Sequence, residues 1–123
     1  MSNERILCVD DNEDTCFLLS TMLGRAGLEA VSAPDAPEAL RLIEGGRFDL
    51  YVVDGQMPGL SGPTLCEQIR AADARTPIVV FSGRGELSDR EAAERAGANA
   101  YVVKPDVLEL VETVRRLLAE PSA

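Results

Sequence analysis

The sequence predicts an open, doubly wound α/β domain: a five-stranded parallel sheet with helices on both faces. Two patterns carry that expectation. Five short apolar runs alternate with five segments of helical periodicity, at intervals of roughly 21–28 residues. The central run, Leu50-Tyr51-Val52-Val53, is apolar throughout, as in a strand buried on both faces, and Asp54-Gly55-Gln56-Met57-Pro58-Gly59 ends it at once. Right-handed crossovers would then put helices on both sides of the sheet. No linker, repeat or shift of composition divides the chain, so residues 1–123 are expected to form one domain.

The elements follow in order. Arg5–Val9 is the first strand and runs into Asp10-Asp11-Asn12-Glu13-Asp14; Leu18, Leu19, Met22, Leu23 and Ala26 then recur at helical spacing, closed by Gly27. Leu28–Val31 is a weak second strand. Asp35 caps the second helix with Glu38 as its capping-box partner, Ala39, Leu40, Leu42 and Ile43 give its inner face, and Gly45-Gly46 stop it. After the central strand, Ser61 caps a helix with Leu65, Cys66 and Ile69 inside. Pro77–Phe81 is the fourth strand, with Pro where no ladder donor is needed. The Gly-rich loop Ser82–Gly85 leads to a helix capped by Ser88 with Glu91 and ended by Gly97. Ala100–Val103 is the fifth strand. Asp106 with Glu109 caps the last helix, whose inner face is Val107, Leu110, Val111, Val114, Leu117 and Leu118, and residues 120–123 are expected to fray.

Composition bounds the function. The net charge of −9, with eleven scattered Arg, is unlike the basic stripe that binds phosphate backbones, so no nucleic-acid partner is expected, and anionic membranes are disfavoured in the same way. No apolar run approaches ~18 residues and the N-terminus has no signal pattern, which leads to the expectation of a cytoplasmic protein. Cys8, Cys16 and Cys66 form no CxxC pair, and the chain has no His, so core thiols fit better than a zinc site. The missing His also removes Ser-His and Cys-His nucleophiles and leaves carboxylates, Lys and hydroxyls for chemistry.

In doubly wound sheets ligands bind beyond the carboxyl ends of the strands. The first strand ends at Asp10 and Asp11, the third at Asp54, the fourth at Ser82 and the fifth at Lys104. Three carboxylates on one rim repel one another and call for a cation; an all-oxygen set suits Mg²⁺. Such an ion beside an ammonium, a hydroxyl and the backbone amides of Gly55 and Gly83 would hold a phosphoryl group. Each residue also has a plainer reading: the acids as helix caps, Ser82 as a turn hydroxyl, Lys104 as a surface charge. Yet Lys104 is the one Lys in a chain that otherwise uses Arg, consistent with a need for a compact point charge.

Asp10-Asp11, Asp54 followed by Met57-Pro58-Gly59, Ser82 and Lys104-Pro105 together resemble the receiver domain of two-component response regulators, over essentially the whole chain. The resemblance implies a flavodoxin-like sheet in the order 2-1-3-4-5. It implies that Asp54 takes a phosphoryl group from a phosphohistidine on a histidine kinase or histidine phosphotransfer protein. Asp11 would ligate Mg²⁺ directly, Asp10 mainly through water, and Asp54 and the Gln56 carbonyl would complete the protein ligands. Ser82 and Lys104 would each bond a phosphoryl oxygen, and Lys104-Pro105 would be cis. Tyr101 would follow Ser82 as a switch, an ordinary strand aromatic being the alternative. The face of the fourth helix, fifth strand and fifth helix would then signal to a downstream protein of unknown identity. Gln56 and Arg84 occupy positions that in the family influence acyl-phosphate hydrolysis. Gly55 and Asp106 depart from it, standing where an apolar residue and an aromatic are frequent.

Other functions compete. A receiver that works by docking alone, without phosphorylation, keeps the same fold. An aspartyl-phosphate phosphohydrolase of the haloacid-dehalogenase type would need a second Asp where Gln56 stands. A flavin or nucleotide binder would meet acids where its phosphate loop should be. The expectation is therefore a signalling domain, not an enzyme beyond its own phosphorylation and dephosphorylation.

Overall fold

A computed structural model describes residues 3–120. The elements in chain order are β1 (Arg5–Val9), α1 (Glu13–Arg25), β2 (Glu29–Ala33), α2 (Ala36–Gly45) and β3 (Leu50–Asp54). Then come β4 (Gln56–Met57), β5 (Leu60–Ser61), α3 (Gly62–Ala72), β6 (Ile78–Ser82), α4 (Leu87–Arg95), β7 (Ala100–Val103) and α5 (Val107–Ala119). Five strands pair in parallel in the order β2-β1-β3-β6-β7, the doubly wound order expected, while β4 and β5 make a small antiparallel ribbon.

Alternate residues of the strands feed two cores. Leu7, Val9, Tyr51, Val53, Ile78 and Val80 face α2, α3 and α4 through residues such as Ala39, Leu65, Ile69 and Ala93. Ile6, Cys8, Val52, Val79, Phe81 and Val102 face α1 and α5 through Leu19, Leu23, Leu110 and Val114. All five residues of β3 are buried, which is why this strand reads as a continuous apolar run.

Three of the expected caps form. The side chains of Asp35, Ser61 and Asp106 accept hydrogen bonds from the backbone N–H groups of Glu38, Thr64 and Glu109. The Ser88 cap does not. α4 begins earlier, with the Glu86 carbonyl accepting from Asp89 and Arg90, so Ser88 lies within the helix. The start of α1 is capped by Asn12, not by one of the acids. β2 continues to Ala33 instead of stopping at Val31, because it pairs with β1 in unbroken register from Arg5↔Glu29 to Val9↔Ala33. Leu18 is 43% and its neighbour Phe17 75% exposed, since Leu19 and Leu23 take the sheet-facing positions of α1. Of the tail expected to fray, residues 121–123 lie outside the described residues, and Glu120 is the C-cap of α5. Among the described residues, no helix is long and apolar enough to cross a membrane.

Candidate functional site

The carboxyl ends of β1, β3 and β6 and the residue after β7 meet at one edge. Asp10 is the first residue past β1, and its backbone N–H reaches the Ala33 carbonyl at the end of β2. Its carboxylate accepts from the Asn12 backbone N–H at 2.9 Å, which turns the acid back over the strand ends. Asp54 closes β3, paired with Phe81 of β6, and its Oδ1 accepts from the Gln56 N–H at 3.2 Å. Both acids are buried, Asp10 at 3% and Asp54 at 7% exposure. Asp11 projects beside them into solvent, and oxygens of Asp10, Asp11 and Asp54 all lie within 4.8 Å of one another.

Lys104 enters from the far side. Its backbone N–H donates to the Ser82 carbonyl at 2.8 Å, and its Nζ lies 3.0 Å from Asp10 Oδ2 and 3.4 Å from Asp54 Oδ1. The Lys104-Pro105 peptide is cis. Burial raises the Asp54 pKa above the ordinary carboxylate value, the Asp10 charge adds to it, and the Gln56 N–H and the Lys104 ammonium pull the other way. Burial also works against the Lys104 charge, but the hydrogen bond to Asp10 and the charges of Asp54 and Asp10 outweigh it and hold the ammonium above its usual range.

The donor set is hard oxygen. Carboxylate oxygens of Asp10, Asp11 and Asp54 within 4.8 Å of one another are near enough to turn toward one small hard cation that keeps several waters. The nearest thiol, Cys16, donates to the Asp10 carbonyl at 3.4 Å, and burial pushes its pKa up, so it offers no thiolate to a soft metal. The residues fit Mg²⁺.

The remaining expected residues gather around Arg84. Ser82 is buried, and its Oγ accepts from the Arg84 N–H at 3.2 Å. The Arg84 Nε donates to the Gln56 side-chain oxygen at 2.9 Å. Tyr101 is half-buried; its hydroxyl donates to the Arg84 carbonyl at 2.6 Å, and the Arg90 guanidinium lies 5.3 Å from its ring centroid. Gly55 links β3 to β4 and lies against Ser82 at the end of β6, and Gly83 is exposed. Sequence reasoning missed Asn12 as the residue whose backbone orients Asp10. No side-chain signal could reveal it, because the N–H does the work.

An acid trio and an ammonium stand together at the switch edge of a flavodoxin-like sheet in the order 2-1-3-4-5, where ligands of such sheets bind. The chain belongs to the response regulator receiver domain family, whose model matches residues 6–115, and it is therefore a signalling domain of the two-component class. It is 41% identical over 119 residues to the transcriptional regulatory protein PrrA of Mycobacterium tuberculosis, covering 96% of this chain and 51% of that protein. A putative response regulator from Chloroflexus aurantiacus superposes with a TM-score of 0.89 at 34% identity, over 97% of this chain and all of that one. The receiver domain of the sensor histidine kinase PA1611 from Pseudomonas aeruginosa, whose structure carries a magnesium ion in its active-site cleft, superposes at 0.86 with 30% identity, over 97% and 100% of the two chains.

The chain spans about half the length of the curated relatives it matches. That corrects the expectation of no nucleic-acid partner. The charge argument reached only the surface of these residues, whereas PrrA is named a transcriptional regulatory protein and is about twice as long. Net charge on these residues says nothing of the partners of relatives about twice as long.

Proposed function

We propose that this domain is a phosphorylatable switch in which Asp54 takes a phosphoryl group from a phosphohistidine. The observation that carries the reading is the geometry around that carboxylate: two further acids within 4.8 Å and an ammonium 3.4 Å away. In the transfer, an Asp54 oxygen forms a bond to phosphorus while the P–N bond breaks, and the imidazole nitrogen leaves with the bonding pair. Lys104 pairs with one phosphoryl oxygen, the Ser82 hydroxyl donates to another, and the backbone N–H groups of Gly55 and Gly83 face the rest. Asp10, Asp11, Asp54 and the Gln56 carbonyl would hold Mg²⁺, which when bound neutralises the charge on the carboxylate and phosphoryl oxygens. The magnesium in the cleft of the PA1611 receiver supports that assignment.

Signalling follows from what Ser82 gives up. Its Oγ engages the Arg84 N–H, and Arg84 in turn holds Tyr101 through its carbonyl. Turning the hydroxyl toward a phosphoryl oxygen releases that amide and shifts the loop ahead of α4, so the α4–β7–α5 face changes with Tyr101. Residues 1–123 are read as one receiver domain, and the name of PrrA supports a transcriptional output for the signal.

Intact-protein mass after incubation with acetyl phosphate tests the chemistry, with and without Mg²⁺, for wild type and Asp54→Ala. The expected result is a Mg²⁺-dependent gain of one phosphoryl group, ~80 Da from its formula, in wild type alone. No gain in wild type would overturn the phosphoacceptor reading in favour of a docking module. A gain that persists in Asp54→Ala would place the acceptor elsewhere.

A further inference from the structure

Gly55 follows the acceptor directly, and its backbone is held tightly on two sides. A Cβ built on Gly55 would lie 2.4 Å from both the Cβ and the Oγ of Ser82, and 3.3 Å from Val80 Cγ1. On the other side stands Gly62, the first residue of α3: its N–H donates to the Gly55 carbonyl at 2.9 Å, and a Cβ on Gly62 would come within 2.8 Å of Gly55 Cα. The segment at Gly55 therefore has no room to retreat toward α3. Ser82 is held as firmly. Its neighbours Val80 and Phe81 pair with Val53 and Asp54, its carbonyl accepts from Lys104 at 2.8 Å, and its Oγ accepts from Arg84 at 3.2 Å.

We propose that Gly55 is the positioning residue for the Ser82 hydroxyl: the missing side chain is the space that lets Ser82 stand beside the acceptor. This rests on the role given to Ser82 above. Rotating Ser82 does not free the space, because its Cβ is as close as its Oγ. Ordinary contact begins at 3.4 Å, so an alanine at 55 must push Ser82 off by roughly 1 Å. A misplacement of that size in a reacting constellation costs on the order of 10²-fold in rate.

The test is a double-mutant cycle on the whole chain with Gly55→Ala, Ser82→Gly and the pair. Mg²⁺-dependent labelling by acetyl phosphate and thermal stability are measured for each. Gly55→Ala is expected to slow labelling by about 100-fold. In the Ser82→Gly background both atoms at 2.4 Å are gone, so the added methyl should change the rate by no more than about twofold. Labelling of Gly55→Ala at the wild-type rate would overturn the proposal, as would an equal loss in both backgrounds. If Gly55→Ala does not fold, recovery of folding in the pair supports the contact and failure to recover overturns it. If wild type takes no label, the phosphoacceptor reading fails separately. The stability cycle then decides Gly55: a loss confined to the Ser82 background supports the contact, and additive losses overturn it.

Discussion

Replacing Lys104 with alanine removes the one cation that touches both buried acids. Its Nζ lies 3.0 Å from Asp10 Oδ2 and 3.4 Å from Asp54 Oδ1. With an effective dielectric constant of about 20, those contacts are worth roughly 5.5 and 4.9 kcal/mol of Coulomb attraction before desolvation. The carboxylates of Asp10 and Asp54, with oxygens within 4.8 Å, repel by at least about 3.5 kcal/mol on the same scale. Removing one partner from a buried ion pair costs about 3–5 kcal/mol. The Lys104 side chain is 25% exposed, which brings the expected loss toward the lower end, about 2–3 kcal/mol. The assay is urea denaturation of wild type and Lys104→Ala at pH 7.5, in EDTA and in saturating Mg²⁺. The loss should be full in EDTA and should narrow in Mg²⁺, because the divalent ion takes over the compensation of Asp10 and Asp54. A variant as stable as wild type in EDTA would refute the coupling of Lys104 to the two acids. A gap that Mg²⁺ leaves unchanged would refute their sharing of one cation site.

Two further outcomes follow from the same structure. Asp54→Asn should raise stability in EDTA at neutral pH. Burial and the Asp10 charge raise the Asp54 pKa, so the ionised acid is disfavoured in the fold and its protonated form favoured. The gain should therefore fade as pH falls through the folded pKa toward about 4, and thermal melts from pH 7.5 to 4 check it; a loss of stability at pH 7.5 would contradict the burial argument. Tyr51→Phe should cost about 1.5–3 kcal/mol at pH 7, because the hydroxyl of this buried ring donates to Asp73 at 2.7 Å. Burial acts to raise the Asp73 pKa, yet bonds from Thr76, Tyr51 and the Arg75 N–H hold it well below the usual range. A depressed carboxylate stabilises above its unfolded pKa and loses that contribution as pH falls, so the difference between the two proteins should shrink below about pH 4; a difference independent of pH would sink the assignment.

The fold was legible because strands buried on both faces leave nothing to interpret. Every residue of β3 and β6 is buried, and runs such as Leu50–Val53 and Ile78–Phe81 have no other economical reading. The acid rim was legible for a related reason: a polar residue right after a strongly apolar run marks the sheet edge, as Asp10, Asp54, Ser82 and Lys104 do, whereas Ser32 after the weaker Leu28–Val31 run stays inside β2. What stayed hidden depends on backbone groups and register. Asn12, not an acid, caps α1, since a string of Asp and Glu offers several equivalent caps and the strand end decides among them. The length of β2 is set by its partner β1, and its own mixed sequence does not announce it. The β4–β5 ribbon, two residues on each side of Pro58-Gly59, looked like a turn because so short a ladder has no periodicity.

The site separates what must stay fixed from what must move. Asp10, Asp54 and Lys104 stand at or beside strand ends tied into the parallel ladder, so the proposed acceptor and its neighbouring charges are held by the most rigid part of the fold. Arg84 lies in an exposed loop between β6 and α4, and three hydrogen bonds converge on it, from Ser82, Gln56 and Tyr101. Two of those partners stand near Asp54: Gln56 is two residues from it, and Ser82 lies against Gly55. The third leads to the half-buried ring of Tyr101 on β7. Arg84 thus links the Ser82 hydroxyl to the outer strand through one residue, the route that the proposed switch would use. In the proposed switch the Ser82 hydroxyl chooses between the Arg84 amide and a phosphoryl oxygen on Asp54, and the bare backbone of Gly55 is the surface it lies against.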